Sequence, residues 1–286
     1  MSQTANPVVR EALAYALGNG PVGALLLHGF SGTPGEMRPL ADYLAARGVA
    51  VEAPLLAGHG GTQEQLATAT WRDWTDSARA GLDRLRARCS VVIVVGFSMG
   101  GAIGLYLAAR TPVDGLVCVS TPTTIGSPLA VLLPAARKVM PFVYPLRLRS
   151  IDLRKPEVVA RLREYIPDLV VDSNDPAQIA RVRRSIKVSV QAVYELSVLL
   201  RVTRASIPRV TVPTLLLQAR RDEQVSRASI DDIYDRLGAT DKARRLDFDR
   251  SGHMLLNGPE KEDAFADIAR FVERIGVVIA EPTRQG

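Results

Sequence analysis

Residues 91–107 read VVIVVGFSMGGAIGLYL, and this stretch decides the fold. Its first five residues are apolar at every position rather than at alternate positions, which is typical of a strand buried on both faces of a parallel sheet. Small residues then end the strand, and apolar residues recur at helical spacing from Ala102 to Ala109. The stretch therefore predicts a strand, a sharp turn and a helix, with the hydroxyl of Ser98 at the centre of the turn.

Ser98 lies between Gly96 and Gly100 in a G-x-S-x-G pattern. A turn of this kind is so tight that neighbouring side chains must be nearly absent, and it pushes the serine Oγ out above the sheet. Taken alone, the pattern also fits a turn that only packs a helix on a strand. The strand before it and the helix after it favour a nucleophile elbow, which makes Ser98 a candidate nucleophile.

Apolar strands and amphipathic helices alternate through the first part of the chain and again after residue 209. This alternation predicts an α/β fold with a mostly parallel central sheet flanked by helices. Between the two parts lies a proline-rich segment whose clear patterns are helical, over residues 128–140, 156–166 and 176–203. We therefore predict a core of residues 1–121 and 210–286, and a helical cap of residues 122–209 inserted after a strand that ends near Ser120.

Length and cysteine content are typical of a globular protein without disulfides. A chain of 286 residues can bury a full core. Cys89 and Cys118 fall in apolar runs, which is typical of free thiols in a reducing compartment. We find no signal peptide and no membrane-spanning run, so we expect a cytoplasmic protein. Three scattered histidines and two cysteines form no plausible ligand set, so we expect no metal and no other cofactor.

The formal net charge of +6 is concentrated in the predicted cap. Residues 122–212 carry 15 Lys and Arg against 7 Asp and Glu, whereas the rest of the chain carries 21 against 23. We expect no nucleic-acid partner, because no zinc, helix-turn-helix or aromatic RNA-binding motif accompanies this basic excess. The excess is typical of a solvated helical face, and it also fits a transient contact with an anionic lipid surface.

A serine nucleophile needs a base, and the base needs a third group to orient it. In the strand-to-helix elbow architecture these groups follow in the order Ser, acid, His. His253 is the one histidine after Ser98, and it follows the last predicted strand. Asp222 lies just beyond the end of an apolar strand, where catalytic groups gather in open α/β sheets. Glu223 competes for the same role, because a one-residue change in the loop path would exchange the two.

Acyl transfer also needs N–H donors for the developing oxyanion, usually one after the nucleophile and one from a loop after an earlier strand. The N–H of Met99 is the first candidate. The N–H of Phe30, in LLLHGFSGTP, is the second, because glycines on either side let the backbone turn it toward the site. We expect His28 and His59 to shape loops rather than to act as bases.

Together, these stretches resemble the bacterial carboxylesterase and monoacylglycerol lipase branch of the α/β-hydrolase superfamily. The resemblance covers nearly all of the chain outside the insertion and is carried by LLLHGFSGTPGEMRPLADYLAARGVAVEAPLLAGHG, WRDW, VVGFSMGGAIGLYLA, PTLLLQARRDEQV and SGHM. It implies the α/β-hydrolase fold and a carboxylic ester hydrolase, with Ser98 as the nucleophile, Asp222 and His253 as its partners, and the amides of Phe30 and Met99 as the oxyanion hole. It also implies that the insertion is a lid above the pocket, although this insertion is longer and more basic than those of compact esterases.

The cap carries more apolar residues than a thin cover needs, so we expect some to line an acyl pocket and most to pack the cap onto the core. These residues are Leu129, Val131, Leu132, Leu133, Met140, Phe142, Val143, Tyr144, Val193, Leu196, Leu199 and Leu200. The expected substrate is a small-molecule acyl ester, either a medium-chain ester or a monoacylglycerol met near an interface.

Other functions fit the same residues. An acyltransferase or thioesterase, a C–C hydrolase and a perhydrolase can all use one triad in one fold, and a non-catalytic binding protein can keep the fold alone. Beyond the cap and the loop that carries Phe30, the sequence assigns no substrate-binding residues, and it assigns no oligomeric state.

Overall fold

The computed structural model describes residues 13–144, 152–155, 158–159, 171–172 and 174–280. Apart from residues 158 and 159, the helix predicted over residues 156–166 lies outside the described residues.

The strands in chain order are β1 (Tyr15–Leu17), β2 (Val22–Leu27), β3 (Ala50–Ala53), β4 (Val91–Phe97), β5 (Gly115–Val119), β6 (Phe142–Val143), β7 (Val188–Ser189), β8 (Thr214–Ala219) and β9 (Lys242–Phe248). Seven of them form one sheet in the order β1-β3-β2-β4-β5-β8-β9. Strand β1 runs antiparallel to β3, and every other neighbouring pair in this sheet is parallel. The mostly parallel sheet is therefore confirmed, while the short antiparallel edge strand β1 is an addition to the prediction.

The helices in chain order are α1 (Arg38–Ala45), α2 (Gln63–Thr68), α3 (Trp71–Arg86), α4 (Met99–Ala108), α5 (Leu133–Val139), α6 (Pro176–Ser185), α7 (Val190–Arg204), α8 (Arg227–Arg236) and α9 (Lys261–Ala280). Helix α3 begins where Thr70 and Asp73 form a capping box, each side chain accepting a hydrogen bond from the other residue's main-chain N–H. Within the described part of the chain, no helix combines the length and the apolar character needed to cross a membrane.

Strand β4 lies at the centre of the sheet, with Val94 beside Leu25 of β2 and beside Leu116 of β5. All seven of its residues are buried. Val92 and Val94 pack in the core cluster with α3, α4 and α7 on one face of the sheet. Val91 and every second residue after it pack in the cluster with α1 and α9 on the other face. Helices on both faces explain why this strand is apolar at every position.

The segment inserted between β5 and β8 is mixed rather than purely helical. Strands β6 and β7 form a separate antiparallel pair, with Phe142 opposite Ser189. As a result, the helical pattern over residues 176–203 is divided into α6 and α7. Ser189 ends the strand and begins the helix, because its Oγ accepts a hydrogen bond from the N–H of Ala192.

Some apolar residues of this segment are exposed instead of packing or lining a pocket. In the 3-10 helix Pro128–Leu132, the exposed fractions are 68% for Leu129, 77% for Val131 and 57% for Leu132, and Met140 after α5 is 46% exposed. Our expectation that most apolar residues of the segment pack on the core is wrong for these four. It holds for Leu199 and Leu200 of α7, which are buried in the cluster that contains β4 and α4.

Candidate active site

Ser98 stands at the end of β4 and immediately before α4, in a backbone conformation with φ of +52° and ψ of −118°. A non-glycine residue rarely adopts a positive φ, so the surrounding structure must hold it there. The N–H of Ser98 donates to the carbonyl of Val119 at 2.8 Å, which fixes the turn to β5. The predicted elbow is therefore present and strained.

The two glycines of the pattern give the elbow its space. A Cβ on Gly96 would lie 2.3 Å from the carbonyl carbon of Gly100, so the two sides of the turn touch. A Cβ on Gly100 would lie 2.1 Å from the carbonyl oxygen of Leu27 at the end of β2. Any side chain at either position would push the elbow off the sheet.

The structure brings Ser98, His253 and Asp222 into one hydrogen-bonded chain. His253 Nε2 lies 3.1 Å from Ser98 Oγ, and His253 Nδ1 lies 3.1 and 3.0 Å from the two carboxylate oxygens of Asp222. The three residues follow β4, β8 and β9, whose carboxyl ends share one edge of the sheet. The side chains of His253 and Asp222 are 5% and 1% exposed, so this contact is shielded from water.

The loop after β8 brings Asp222, rather than Glu223, to His253. Asp222 Oδ1 accepts hydrogen bonds from the N–H groups of Gln224 and Val225, which turn its carboxylate inward. Gln218 steadies the same turn, because its side-chain amide donates to the carbonyl of Val225. Glu223 is exposed, whereas the Asp222 side chain faces His253.

Two residues that sequence reasoning missed hold the His253 loop. Ser120 Oγ donates to the carbonyl of His253 at 3.1 Å. The carboxylate of Glu260 accepts hydrogen bonds from three consecutive N–H groups, those of residues 249–251. A glutamate just before a long amphipathic helix is expected to interact with that helix's first turn, so only the fold reveals that Glu260 binds the loop instead.

The loop that carries Phe30 is tied down through its neighbours. The N–H of Leu56 donates to His28 Nε2, so His28 carries its proton on Nδ1 and donates it to the carbonyl of Gly29 at 2.9 Å. His28 is fully buried. Burial is the main cause that lowers its pKa to about 3, and the nearby His59 lowers this pKa further. His28 is therefore neutral at pH 7 and shapes the loop, as expected from the sequence.

The main-chain N–H groups of Phe30 and Met99 have no hydrogen-bond acceptor within residues 13–144 or the other described residues. The structure therefore leaves both groups available as donors, which the proposed oxyanion hole requires. The His59 ring packs edge-on against the ring of Phe30, and its Nδ1–H donates to the carbonyl of Ala57 at 3.1 Å. Burial lowers the pKa of His59 to about 4, so it too is neutral near pH 7.

An open cavity of about 550 Å³ lies between two parts of the insertion, residues 123–130 and α7, and the core helix α8. Its lining includes Arg201, Arg204 and Arg236, and none of Ser98, Asp222 and His253 is among the lining residues. Across the described ranges, no three His, Cys, Asp or Glu side chains come together in a way that could hold a metal ion.

Comparisons with known proteins show the family to which the chain belongs. The family described as serine aminopeptidase, S33 (Hydrolase_4) matches residues 23–260. The chain is 32% identical over 239 residues to a thermostable monoacylglycerol lipase of Bacillus sp. (strain H-257), covering 82% of this chain and 84% of that one. It is 25% identical over 263 residues to a carboxylesterase of Bacillus subtilis (strain 168), covering 91% and 96%.

Among solved structures, the chain is similar to one from a study of LipS and LipT, two metagenome-derived lipolytic enzymes. The TM-score is 0.75 at 26% identity, and the match covers 92% of this chain and 98% of that one. The elbow, the sheet order and the matched family lead to one conclusion: the chain belongs to the Hydrolase_4 family and has the α/β-hydrolase fold.

Proposed function

We propose that the chain cleaves carboxylic esters through an acyl-enzyme on Ser98. The observation that carries this proposal is the continuous contact from Ser98 Oγ through His253 to the carboxylate of Asp222, at 3.1 and 3.0 Å. At the coarser level, the chain is a carboxylic ester hydrolase, the class that its monoacylglycerol lipase and carboxylesterase relatives share.

The mechanism follows from the positions of the protons. Asp222 holds the proton of His253 on Nδ1, which leaves Nε2 free to accept the proton of Ser98 as Oγ attacks the ester carbonyl. The N–H groups of Phe30 and Met99 then bind the tetrahedral oxyanion. His253 returns the proton to the departing alcohol, which leaves an acyl-enzyme on Ser98. A water molecule repeats the sequence, and the carboxylic acid leaves.

We propose that residues 122–209 form a cap over this site. The residue just before the segment and a residue near its other end both contact α4, the helix that follows Ser98. Near the first end, a Cβ on Gly101 would lie 1.9 Å from Thr121 Oγ1, so the two residues are in close contact. Near the other end, Thr203 Oγ1 donates to the carbonyl of Ala102 at 3.2 Å. A segment that leaves and re-enters the core beside the elbow helix is well placed to cover the substrate.

The finer proposal for the substrate is a medium-chain ester or a monoacylglycerol. A panel of p-nitrophenyl esters from acetate to laurate, together with monoacylglycerols, measures the acyl preference. Peak turnover on the acetate ester would contradict an acyl pocket under the cap. An aminoacyl p-nitroanilide belongs in the same panel, because the matched family is described as serine aminopeptidase.

The reaction class is tested with Ser98→Ala beside Ser90→Ala, which changes an exposed serine immediately before β4. We expect Ser98→Ala to lose turnover by several powers of ten and to lose labelling by a fluorophosphonate, whereas Ser90→Ala keeps both. Wild-type turnover in Ser98→Ala would end the proposal. Adding an alcohol or a thiol as a second acyl acceptor tests the transferase alternative, since a transferase would divert product away from the free acid.

We also propose that the insertion contacts lipid surfaces transiently, in a protein located in the cytoplasm. Besides the exposed apolar residues of the 3-10 helix Pro128–Leu132, Val139 at the end of α5 is 83% exposed, and the exposed side chain of Lys138 precedes it. Apolar and basic groups together favour an anionic lipid surface. Both cysteines, Cys89 and Cys118, are free and buried, which fits a reducing compartment.

Vesicle sedimentation tests the lipid contact. We expect binding to phosphatidylglycerol vesicles to exceed binding to phosphatidylcholine vesicles, and to fall in the double variant Leu132→Ser, Val139→Ser. The matched control is Val277→Ser, because Val277 is 61% exposed on α9, away from the insertion. Equal loss in the control would refute a contact through this segment.

A further inference from the structure

We propose that Glu36 is a positioning residue that sets the direction of the Phe30 N–H by holding residues 28–32 against the elbow. Residues 28–32 form the oxyanion loop. The inference rests on the proposed function, in which the Phe30 N–H binds the oxyanion. Glu36 belongs to the 3-10 helix Pro34–Met37, which follows this loop and precedes α1.

The direction of the Phe30 N–H depends on the peptide group between Gly29 and Phe30. The carbonyl of that peptide group accepts two hydrogen bonds, from His28 Nδ1 at 2.9 Å and from the N–H of Gly32 at 3.2 Å. In a planar trans peptide group the C=O and the N–H point in opposite directions. Two donors on the Gly29 carbonyl therefore turn the Phe30 N–H to the opposite side.

Glu36 holds the preceding peptide group. Its Oε2 accepts the N–H of Gly29 at 3.0 Å, so Gly29 is restrained on both its N–H and its C=O. Gly29 is buried, and without this carboxylate its N–H would lose that partner away from water. A loop that must satisfy the N–H elsewhere would have to rotate, and the Phe30 N–H would rotate with it.

The carboxylate also fills the inside of the turn. A Cβ on Gly32 would lie 2.2 Å from Glu36 Oε1 and 2.3 Å from Oε2, so the turn closes directly on the two oxygens. Ser31 at the tip has a φ of +61°, a left-handed conformation that a non-glycine residue keeps only when neighbours enforce it. Glu36 is one of those neighbours, because its side chain supports the turn from within.

Glu36 connects three parts of the site. The peptide group whose N–H it holds presents its carbonyl, that of His28, to the elbow, where a Cβ on Gly100 would lie 2.8 Å from that oxygen. The main-chain carbonyl of Glu36 accepts the side-chain amide of Asn257 at 3.0 Å, and Asn257 lies four residues after His253. One residue thus contacts the oxyanion loop and the His253 loop, and acts on the elbow through one peptide group.

The experiment compares Glu36→Ala, which removes the acceptor, with Glu36→Gln, whose side-chain oxygen can accept the same N–H. We expect Glu36→Ala to lower kcat by about 10- to 100-fold, somewhat less than the loss of a whole oxyanion donor, while KM stays within about threefold. Glu36→Gln should recover most of the loss. The matched control is Glu262→Ala, an exposed carboxylate in the first turn of α9, and it should keep wild-type kcat.

Two further measurements separate positioning from folding. The fraction of protein labelled by a fluorophosphonate counts competent Ser98, and we expect it to be unchanged in Glu36→Ala. An alkyl trifluoromethyl ketone forms a tetrahedral adduct with a serine nucleophile, and the affinity of Glu36→Ala for it should fall in parallel with kcat.

A kcat loss that disappears after correction for the labelled fraction would overturn the proposal, and so would a Glu36→Gln variant as slow as Glu36→Ala. Failure of the proposed function looks different, because Ser98→Ala would then retain turnover. When Ser98→Ala is inactive and Glu36→Ala is fully active, only the role of Glu36 is refuted.

Discussion

Replacing Asp222 with Asn tests its proposed role as the acid of the triad while changing the shape of the side chain very little. Asp222 Oδ1 accepts the N–H groups of Gln224 and Val225, so the Asn oxygen must take that place and its NH2 must face His253. The NH2 then meets His253 Nδ1, which lies 3.0 Å from Oδ2 in the native site. Because two N–H groups repel each other, the imidazole moves its proton to Nε2 and can no longer accept the proton of Ser98.

The size of the effect follows from losing both the tautomer and the charge that stabilises the imidazolium. We expect kcat to fall about 10³- to 10⁴-fold, which corresponds to about 4 to 5.5 kcal/mol of transition-state stabilisation. Steady-state hydrolysis of a p-nitrophenyl ester measures the loss, and thermal unfolding checks that the fold is kept.

Glu223→Gln is the control, because Glu223 is the neighbouring exposed carboxylate. We expect it to keep kcat within about threefold, in the range of a surface change. A loss of less than tenfold in Asp222→Asn, or a larger loss in Glu223→Gln, would refute the assignment of the acid.

Two further outcomes are expected. Gly100→Ala places a Cβ 2.1 Å from the Leu27 carbonyl oxygen, so we expect it to lower the free energy of unfolding, measured in urea, by about 3 kcal/mol. The control is Gly126→Ala, whose Cβ would have its nearest neighbour at 3.8 Å, and it should be near neutral. Burial lowers the pKa of His28 to about 3 and that of His59 to about 4, below the ordinary 6.5 of the unfolded chain. The stability that each neutral, buried histidine contributes is therefore present above pH 6.5 and is lost as the pH falls. The free energy of unfolding should drop by about 2 kcal/mol for each histidine at pH 5. A midpoint of urea unfolding that stays constant from pH 7.5 to 5 would contradict this expectation.

Local pattern was enough for the central part of the fold. Strand β4 is apolar at every position because α3 and α9 cover its two faces. Burial on both faces requires a run of consecutive apolar residues, which can be recognised in the sequence. The elbow was predictable for the same reason, since the contact between Gly96 and Gly100 arises within one turn. Chain order then selected His253, because it is the one histidine after Ser98.

Features that depend on distant partners were not predictable from pattern. Residues 176–203 have one helical pattern, yet they form two helices, because residues 188–189 pair with β6 more than forty residues earlier in the chain. The exposure of Val131 and Leu132 likewise depends on which surfaces other segments cover, and local hydrophobicity does not encode that.

The sequence by itself determined the α/β class, the elbow, and a short set of candidate residues, because strand burial, turn sterics and chain order act over neighbouring positions. Only the tertiary structure shows that Asp222, and not Glu223, faces His253, since two main-chain N–H groups turn the Asp222 carboxylate inward while Glu223 stays exposed. It also revealed the contacts of Glu36. The side chain of Glu36 accepts the N–H of Gly29, seven residues earlier, and its main-chain carbonyl accepts the side-chain amide of Asn257. Such contacts exist only once the sheet has brought its loops to one edge.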